Sequence, residues 1–404
     1  MKSFVDVLKQ PVAMRISLSN FALGLFMINC IIDPGNALFH TKQLTFFFAL
    51  VANIKKMKCG NCFPVFNFVV FYAAFFVSAS LMMLRNINYD SDFLNMYSTT
   101  FLLLVIFFIN NKKINVDFYF NFVCFIIALF TVVFSMIIIM IPVAAIVIME
   151  NEKLNAIFMF AEHKKILWWW ISSVFHMASP LLILQVALKF CLFLKNRRQK
   201  DCMATIFYLF AMFFTGTRAN ILASVLVVGL IYLYNLYFVR NKLYKTAFLV
   251  ILFCFFVFIA IFLMLTVKNS SSDMKDLHMV SYNILFSENP SYLLIGQGPG
   301  AWFYDVGWKK MCLNTEISYL ELIRMFGLFF MIAIVLLYAY PFIHFIRNPT
   351  FFRFSISIAY LAYLFIAGTN PLLIGPTGFM AFWYANYLLE NGGCLNVRHN
   401  NGNI

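Results

Sequence analysis

The sequence predicts an all-α, polytopic integral membrane protein of about twelve transmembrane helices with one long extracytoplasmic loop, and three observations carry that prediction. The residues are 63% hydrophobic and 11% charged, with a mean hydropathy of +0.85, whereas a soluble domain is roughly a quarter charged. Apolar runs of span length follow one another from end to end. Between them, basic residues cluster at alternate connections. That clustering accounts for the net charge of +14 as a positive-inside pattern, so nucleic acid is not an expected partner.

The runs can be taken in order. The first, 12–32, follows Lys2, Lys9 and Arg15; it has full span length and no small-residue cleavage site after it, so it is read as a retained helix. Runs 37–54 and 63–84 flank Lys55, Lys56 and Lys58, and runs 94–110 and 118–148 flank Lys112 and Lys113. Runs 166–194 and 202–215 flank Lys195, Arg197, Arg198 and Lys200. The run 202–215 is short, but without it the next cluster, Arg240, Lys242 and Lys245 between runs 219–239 and 246–267, would fall on the wrong side. Runs 317–346 and 352–368 flank Arg347 and Arg353, and run 374–390 precedes Arg398. Both termini are therefore expected in the cytoplasm of a cell bounded by this membrane. Residues 1–404 read as one transmembrane domain. Most acids, from Asp33, Asp90 and Asp92 through Glu150, Glu152 and Glu162 to Asp273, Asp276, Glu288, Asp305 and Glu316, fall on the other side, which places the long segment 268–316 outside.

Several features read as structural. The cysteines are scattered and mostly within spans, which excludes a disulfide framework, and Cys59-Gly-Asn-Cys62 has no second pair or His cluster to make a metal site. Trp168, Trp169 and Trp170 at the head of a run fit a membrane interface. Neither an internal repeat nor a matched pair of Gly/Pro-broken helices marks a transporter.

The outer segment is more informative. A connection of nearly fifty residues, 268–316, is far longer than a plain loop. Within "VSYNILFSENPSYLLIGQGPGAWF", Gly296, Gly298 and Gly300 around Pro299 form a tight bend whose bare backbone is able to approach a ligand; a plain loop turn is the other reading. No βαβ unit surrounds it, so it is not a dinucleotide fingerprint.

Charges sit at the heads of two spans. In "FFTGTRANILASVLVVGL", Arg218 lies in the first turn of a helix, where a cation opposes the macrodipole and calls for an anion; snorkelling to lipid phosphate is the alternative. In "NTEISYLELIRMFGLFF", a helix beginning near Glu316 would bring Glu316, Tyr319, Arg324 and Gly327 to one broad face. Glu321, three residues from Arg324, is placed to hold its guanidinium. A charge in hydrocarbon costs about 2.5 kcal/mol or more, so the group reads as a functional site, with a self-neutralising Glu321–Arg324 pair as the structural alternative.

"TGTRANIL" with its following span, "ENPSYLLIGQGPGAWF", and "TEISYLELIRMFGLFF" together resemble the O-antigen ligase and O-antigen polymerase superfamily of bacterial envelope proteins, over about residues 215–335. The resemblance implies glycosyl transfer outside the bacterial inner membrane, from a polyprenyl-diphosphate-linked oligosaccharide, without nucleotide sugar, metal or other cofactor. The ligase branch typically carries His-Asn-x-x-Leu-Glu where this chain has Glu316-Ile317-Ser318-Tyr319-Leu320-Glu321. Glu in place of His and Ile in place of Asn favour the polymerase branch. The alternatives are a ligase moving polymer to a lipid acceptor, and a flippase or transporter of the same lipid-linked sugar. The partners implied are the lipid-linked oligosaccharide, membrane lipid and a chain-length regulator.

The chemistry of such a reaction assigns roles. Arg218 and Arg324, with Lys309 and Lys310 beside them, are the candidate diphosphate-binding cations. Glu316, at the family's His position, is the candidate general base, Glu321 orients Arg324, and Tyr319 and the Gly296, Gly298 and Gly300 bend would line the sugar site. Charges gathered at the outer ends of two spans, rather than along a central path, favour an enzyme over a flippase.

Overall fold

The structure, a computed structural model, describes residues 18–34, 41–56, 62–94, 116–151, 158–166, 169–236, 270–368, 370 and 372–391. The run expected at 94–110 beyond Leu94, the run at 246–267, Cys59 and Trp168 lie outside the described residues. In chain order the elements are α1 (Leu18–Ile32), α2 (Lys42–Asn53), α3 (Cys62–Leu84), α4 (Val116–Met140), α5 (Ala144–Glu150), β1 (Phe158–Ile166) and β2 (Trp169–His176). Then come α6 (Leu182–Asn196), α7 (Gln199–Phe214), α8 (Arg218–Tyr234), α9 (Ser270–Glu288), α10 (Ser291–Ile295), β3 (Phe303–Asp305) and β4 (Lys310–Cys312). The chain closes with α11 (Ser318–Ala339), α12 (Phe342–Arg347), α13 (Phe351–Gly368) and α14 (Pro376–Asn391).

The fold is mostly helical, and these are the helices of a multi-pass membrane protein. Among the described residues, five helical stretches are long and apolar enough to cross a membrane: Phe66–Leu84, Val116–Met140, Ser179–Asn196, Ser318–Ala339 and Phe351–Gly368. Leu18–Ile32 and Arg218–Tyr234 are shorter apolar helices. Around α6 the bundle closes: α6 packs against α7, α8 and α13, while α1 packs against α2, α4 and α14. The apolar core runs through these contacts, from Phe26 and Phe120 to Tyr360 and Trp383.

Three runs divide differently from the hydropathy reading. The run 118–148 is two helices, because Pro142 has no N–H to continue α4 beyond Met140. The run 317–346 likewise ends α11 before Pro341 and restarts as α12. The run 166–194 is not one helix. Its first part is β2, paired antiparallel with β1 in a register from Ile166↔Trp169 to Phe158↔His176. Aromatic and β-branched residues dominate β2, and each strand satisfies the other's backbone, so this part of the run is apolar without being helical. Two small antiparallel sheets, β1-β2 and β3-β4, accompany the helices of an otherwise helical fold.

The hairpin is tied to the bundle at His176. Its Nδ1 accepts the Ala178 N–H at 2.9 Å, and Nε2 meets Ile32 O at 3.1 Å at the end of α1. Burial pushes this imidazole down to about 4, so it stays neutral and keeps Nδ1 as an acceptor.

Candidate functional site

The site begins with a break in a helix. Gly327 has φ 78° and ψ 167°, values that divide α11 into a head, residues 318–326, and an apolar remainder. The break frees the Arg324 carbonyl, which in an unbroken helix would accept from Leu328, and the Gln297 N–H takes that place at 2.5 Å. Gly327 itself lies against the backbone of Leu294 and Ile295, and a Cβ on Gly296 would stand 2.5 Å from Met325 O. The glycine bend is therefore buried against α11. Gly298 packs on Met82 and Gly300 on Asp90 O, so what the bare backbone approaches is the protein itself. The sequence expectation was that Gly296, Gly298 and Gly300 would approach a ligand; the contacts the structure gives them are with protein.

The bend and the strands after it fold over the head of α11 as a cap. Arg324 is 0% exposed beneath it. Its Nε donates to Glu321 Oε2 at 3.0 Å and Nη2 to Glu321 Oε1, while Nη1 donates to Gln297 Oε1 at 2.7 Å and Ala301 O at 2.9 Å. Nη2 also donates to Leu313 O at 2.7 Å, so all five guanidinium N–H groups have protein acceptors. The flat group lies over the Phe303 ring, 4.6 Å from its centroid. Glu321 does hold Arg324, as its spacing implied. Arg324 itself has no donor left for a diphosphate, which corrects its assignment as a substrate-binding cation: burial under the cap has made it a fastener.

Helix α9 supplies the other wall. Lys275, His278 and Tyr282, at i, i+3 and i+7, share one face, and each meets a carboxylate from a different stretch of chain. Lys275 Nζ lies 3.9 Å from Glu316, His278 Nδ1 lies 2.8 Å from Asp305 Oδ2, and Tyr282 donates to Glu321 Oε2 at 2.6 Å. Asp305 also accepts from the Trp308 N–H at 2.7 Å and Ser281 Oγ at 3.1 Å. Burial, and then the Glu321 charge, raise the Tyr282 phenol above its ordinary range and keep it a donor. Burial and the Asp305 charge push the Cys312 thiol up to about 12, leaving it an unreactive core side chain.

The remaining expected residues disperse. Glu316 precedes the helix, which starts at Ser318, and its side chain is 39% exposed beside Lys275. Because Tyr319 is about 140° around α11 from Arg324, it turns the other way, packing on Gly368 and donating to Leu364 O at 3.1 Å. The shared face of Glu316, Tyr319, Arg324 and Gly327 is thus not formed. Lys309 and Lys310 are exposed at the β3–β4 turn, with Lys310 Nζ 5.6 Å from the Trp308 ring centroid. Arg218 opens α8 two residues after Gly216, which packs against Ser173 of β2, so it stands by the hairpin.

Lys275, Tyr282 and Gln297 were missed from sequence. The first two had a usable signal, the helical spacing on α9; Gln297 had none, because only the bend brings it to Arg324. Among the described residues, no group of three or more His, Cys, Asp or Glu is placed to hold a metal ion. Among the described residues, the cap's solvent-reaching acid–base pair is Glu316 with Lys275, over a buried network. No protein-family model matches this chain, and neither a curated protein nor a solved structure does.

Proposed function

We propose that the chain is a membrane glycosyltransferase, an O-antigen or related surface-polysaccharide polymerase that joins polyprenyl-diphosphate-linked oligosaccharide repeat units. The observation that carries the reading is the exposed Glu316 beside Lys275 on a folded cap over the head of a membrane helix, within the stretch that resembles the polymerase superfamily. In the full reading the chain crosses the inner membrane about twelve times, with both termini in the cytoplasm and 268–316 outside. Lipid-linked sugars would then meet the cap where an apolar tail and a dianionic head coincide.

Glu316 takes the proton from the acceptor sugar hydroxyl as that oxygen bonds to the anomeric carbon of the donor. The anomeric carbon–oxygen bond to the diphosphate breaks, and its electron pair leaves on the diphosphate. Lys275 and Arg218 offset the growing negative charge. Arg324, Glu321 and Tyr282 hold the geometry without touching substrate.

The test is polymer formation by the purified protein in proteoliposomes supplied with lipid-linked repeat units. A ladder of products is expected, with Glu316→Gln slowing transfer by about a hundredfold or more at unchanged stability. Transfer of preformed polymer to a lipid acceptor instead would mark a ligase, movement across the bilayer without new bonds a flippase, and no product from the wild type would remove the enzyme reading. Orientation has its own test. Asp276→Cys should react with an impermeant thiol reagent in intact cells and Gln199→Cys only in opened ones; the reverse pattern would put the cap in the cytoplasm and end this mechanism.

A further inference from the structure

With every Arg324 donor held by the protein, a lipid diphosphate needs another guanidinium at the membrane surface. Arg85 follows directly on α3, at the end of the span Phe66–Leu84. Its Nη1 donates to Gly296 O at 3.0 Å, and its guanidinium carbon lies 5.4 Å from the centroid of the Tyr292 ring. That is the hydrogen bond it makes among the described residues; the group is partly exposed and keeps further N–H donors free.

Exposed apolar side chains stand on the two segments that Arg85 joins. Leu84 is 78% exposed, and the five-residue α10 presents Leu293, Leu294 and Ile295 outward at 41%, 50% and 37%. This short helix is seated on α11: the backbone of Leu294 and Ile295 lies against Gly327, the tenth residue of that apolar helix. A guanidinium at the rim of such a patch matches one class of ligand, an anionic phosphate head with a hydrocarbon tail, since the planar fork takes two phosphate oxygens while the tail covers the leucines.

We propose that Arg85, with the patch of Leu84, Leu293, Leu294 and Ile295, binds the diphosphate head and first isoprene units of the polyprenyl-linked substrate. The assignment rests on the function proposed above and replaces Arg324 with Arg85 at the head group. The Gly296 carbonyl orients the guanidinium, and the α3 helix terminus favours its charge.

The experiment measures binding of a polyprenyl diphosphate to the purified full-length protein in nanodiscs, against polyprenol, inorganic diphosphate and phosphatidylglycerol. Arg85→Gln, which can still donate to Gly296 O, should weaken polyprenyl diphosphate by about tenfold or more and leave polyprenol unchanged. Arg85→Lys should fall between the two, at matched thermal stability. Unchanged binding by Arg85→Gln overturns the site, as does equal competition by phosphatidylglycerol, which would make this a general lipid contact, or by inorganic diphosphate, which would make the patch irrelevant. The two readings fail separately: binding lost in Arg85→Gln with no polymer from the wild type spares the site and removes the polymerase, whereas polymer from the wild type with unchanged Arg85→Gln binding does the reverse.

Discussion

Arg324→Lys is expected to destabilise the cap by about 2 to 4 kcal/mol, from one or two buried acceptors left without a donor while the charge is kept. A lysine ammonium has three donors at one point, whereas the pocket offers acceptors on several sides: both Glu321 oxygens, Gln297 Oε1, Ala301 O and Leu313 O. Each acceptor left without a partner costs about 1 to 3 kcal/mol. Arg324→Met should be worse, because it leaves the Glu321 carboxylate, 4% exposed, without a compensating charge. Adding Glu321→Gln to Arg324→Met should recover part of the loss, since the pair is then removed together. Unfolding midpoints in detergent and protease cleavage between residues 296 and 315 measure both effects. If Arg324→Lys keeps the wild-type midpoint but loses binding of lipid diphosphate, Arg324 returns to the substrate and the fastener role is wrong.

Gly327→Ala should have an effect of similar size, about 3 kcal/mol or more, from two separate sources. Its φ of 78° with ψ of 167° lies in a region essentially confined to glycine, and forcing a side chain there costs on the order of 1 to 3 kcal/mol. A Cβ at that position would also collide with Leu294 O, and overpacking against fixed backbone adds about 1 to 3 kcal/mol. If the helix straightens to escape, the Arg324 carbonyl returns to its own helix, Gln297 N–H loses its acceptor, and α10 is displaced. Gly375→Ala is the control, because nothing lies within 4 Å of a Cβ there. Equal midpoints for the two variants would show that the bend is not held as described.

The reasons why some of this was legible from the sequence and some was not are local. Hydropathy finds α3, α4, α11 and α13 because a span needs a long apolar run, and it places Glu321 against Arg324 because three residues along a helix bring side chains together. Hydropathy does not distinguish residues 169–176 from a helix, since Trp, Ile, Val and Phe are as apolar in a strand as in a span. Reading one helical face from Glu316 onward failed because the helix starts only at Ser318, Tyr319 lies about 140° around it from Arg324, and Gly327 breaks it. The glycines were recognised as a close approach, but the partners were the α11 backbone for Gly296, Met82 for Gly298 and Asp90 O for Gly300, which lie outside any local pattern. Arg85 and Gln297 acquire meaning only through contacts across the fold; Arg85 reaches Gly296 over 211 residues of intervening chain.

That separation has a consequence for biogenesis. Ribosomes add roughly 5 to 20 residues per second, so α3 is in the membrane for about 10 to 40 s before the bend that receives Arg85 has been made. The α9 helix likewise emerges ahead of Glu321, the acceptor for its Tyr282 hydroxyl. The cap thus cannot close until the head of α11 has been synthesised and delivered to the same side of the bilayer. A nascent chain stalled between residues 282 and 296 holds the Arg85 guanidinium, the Tyr282 phenol and the His278 imidazole before their partners Gly296, Glu321 and Asp305 have been made, and presents them to membrane quality-control proteases.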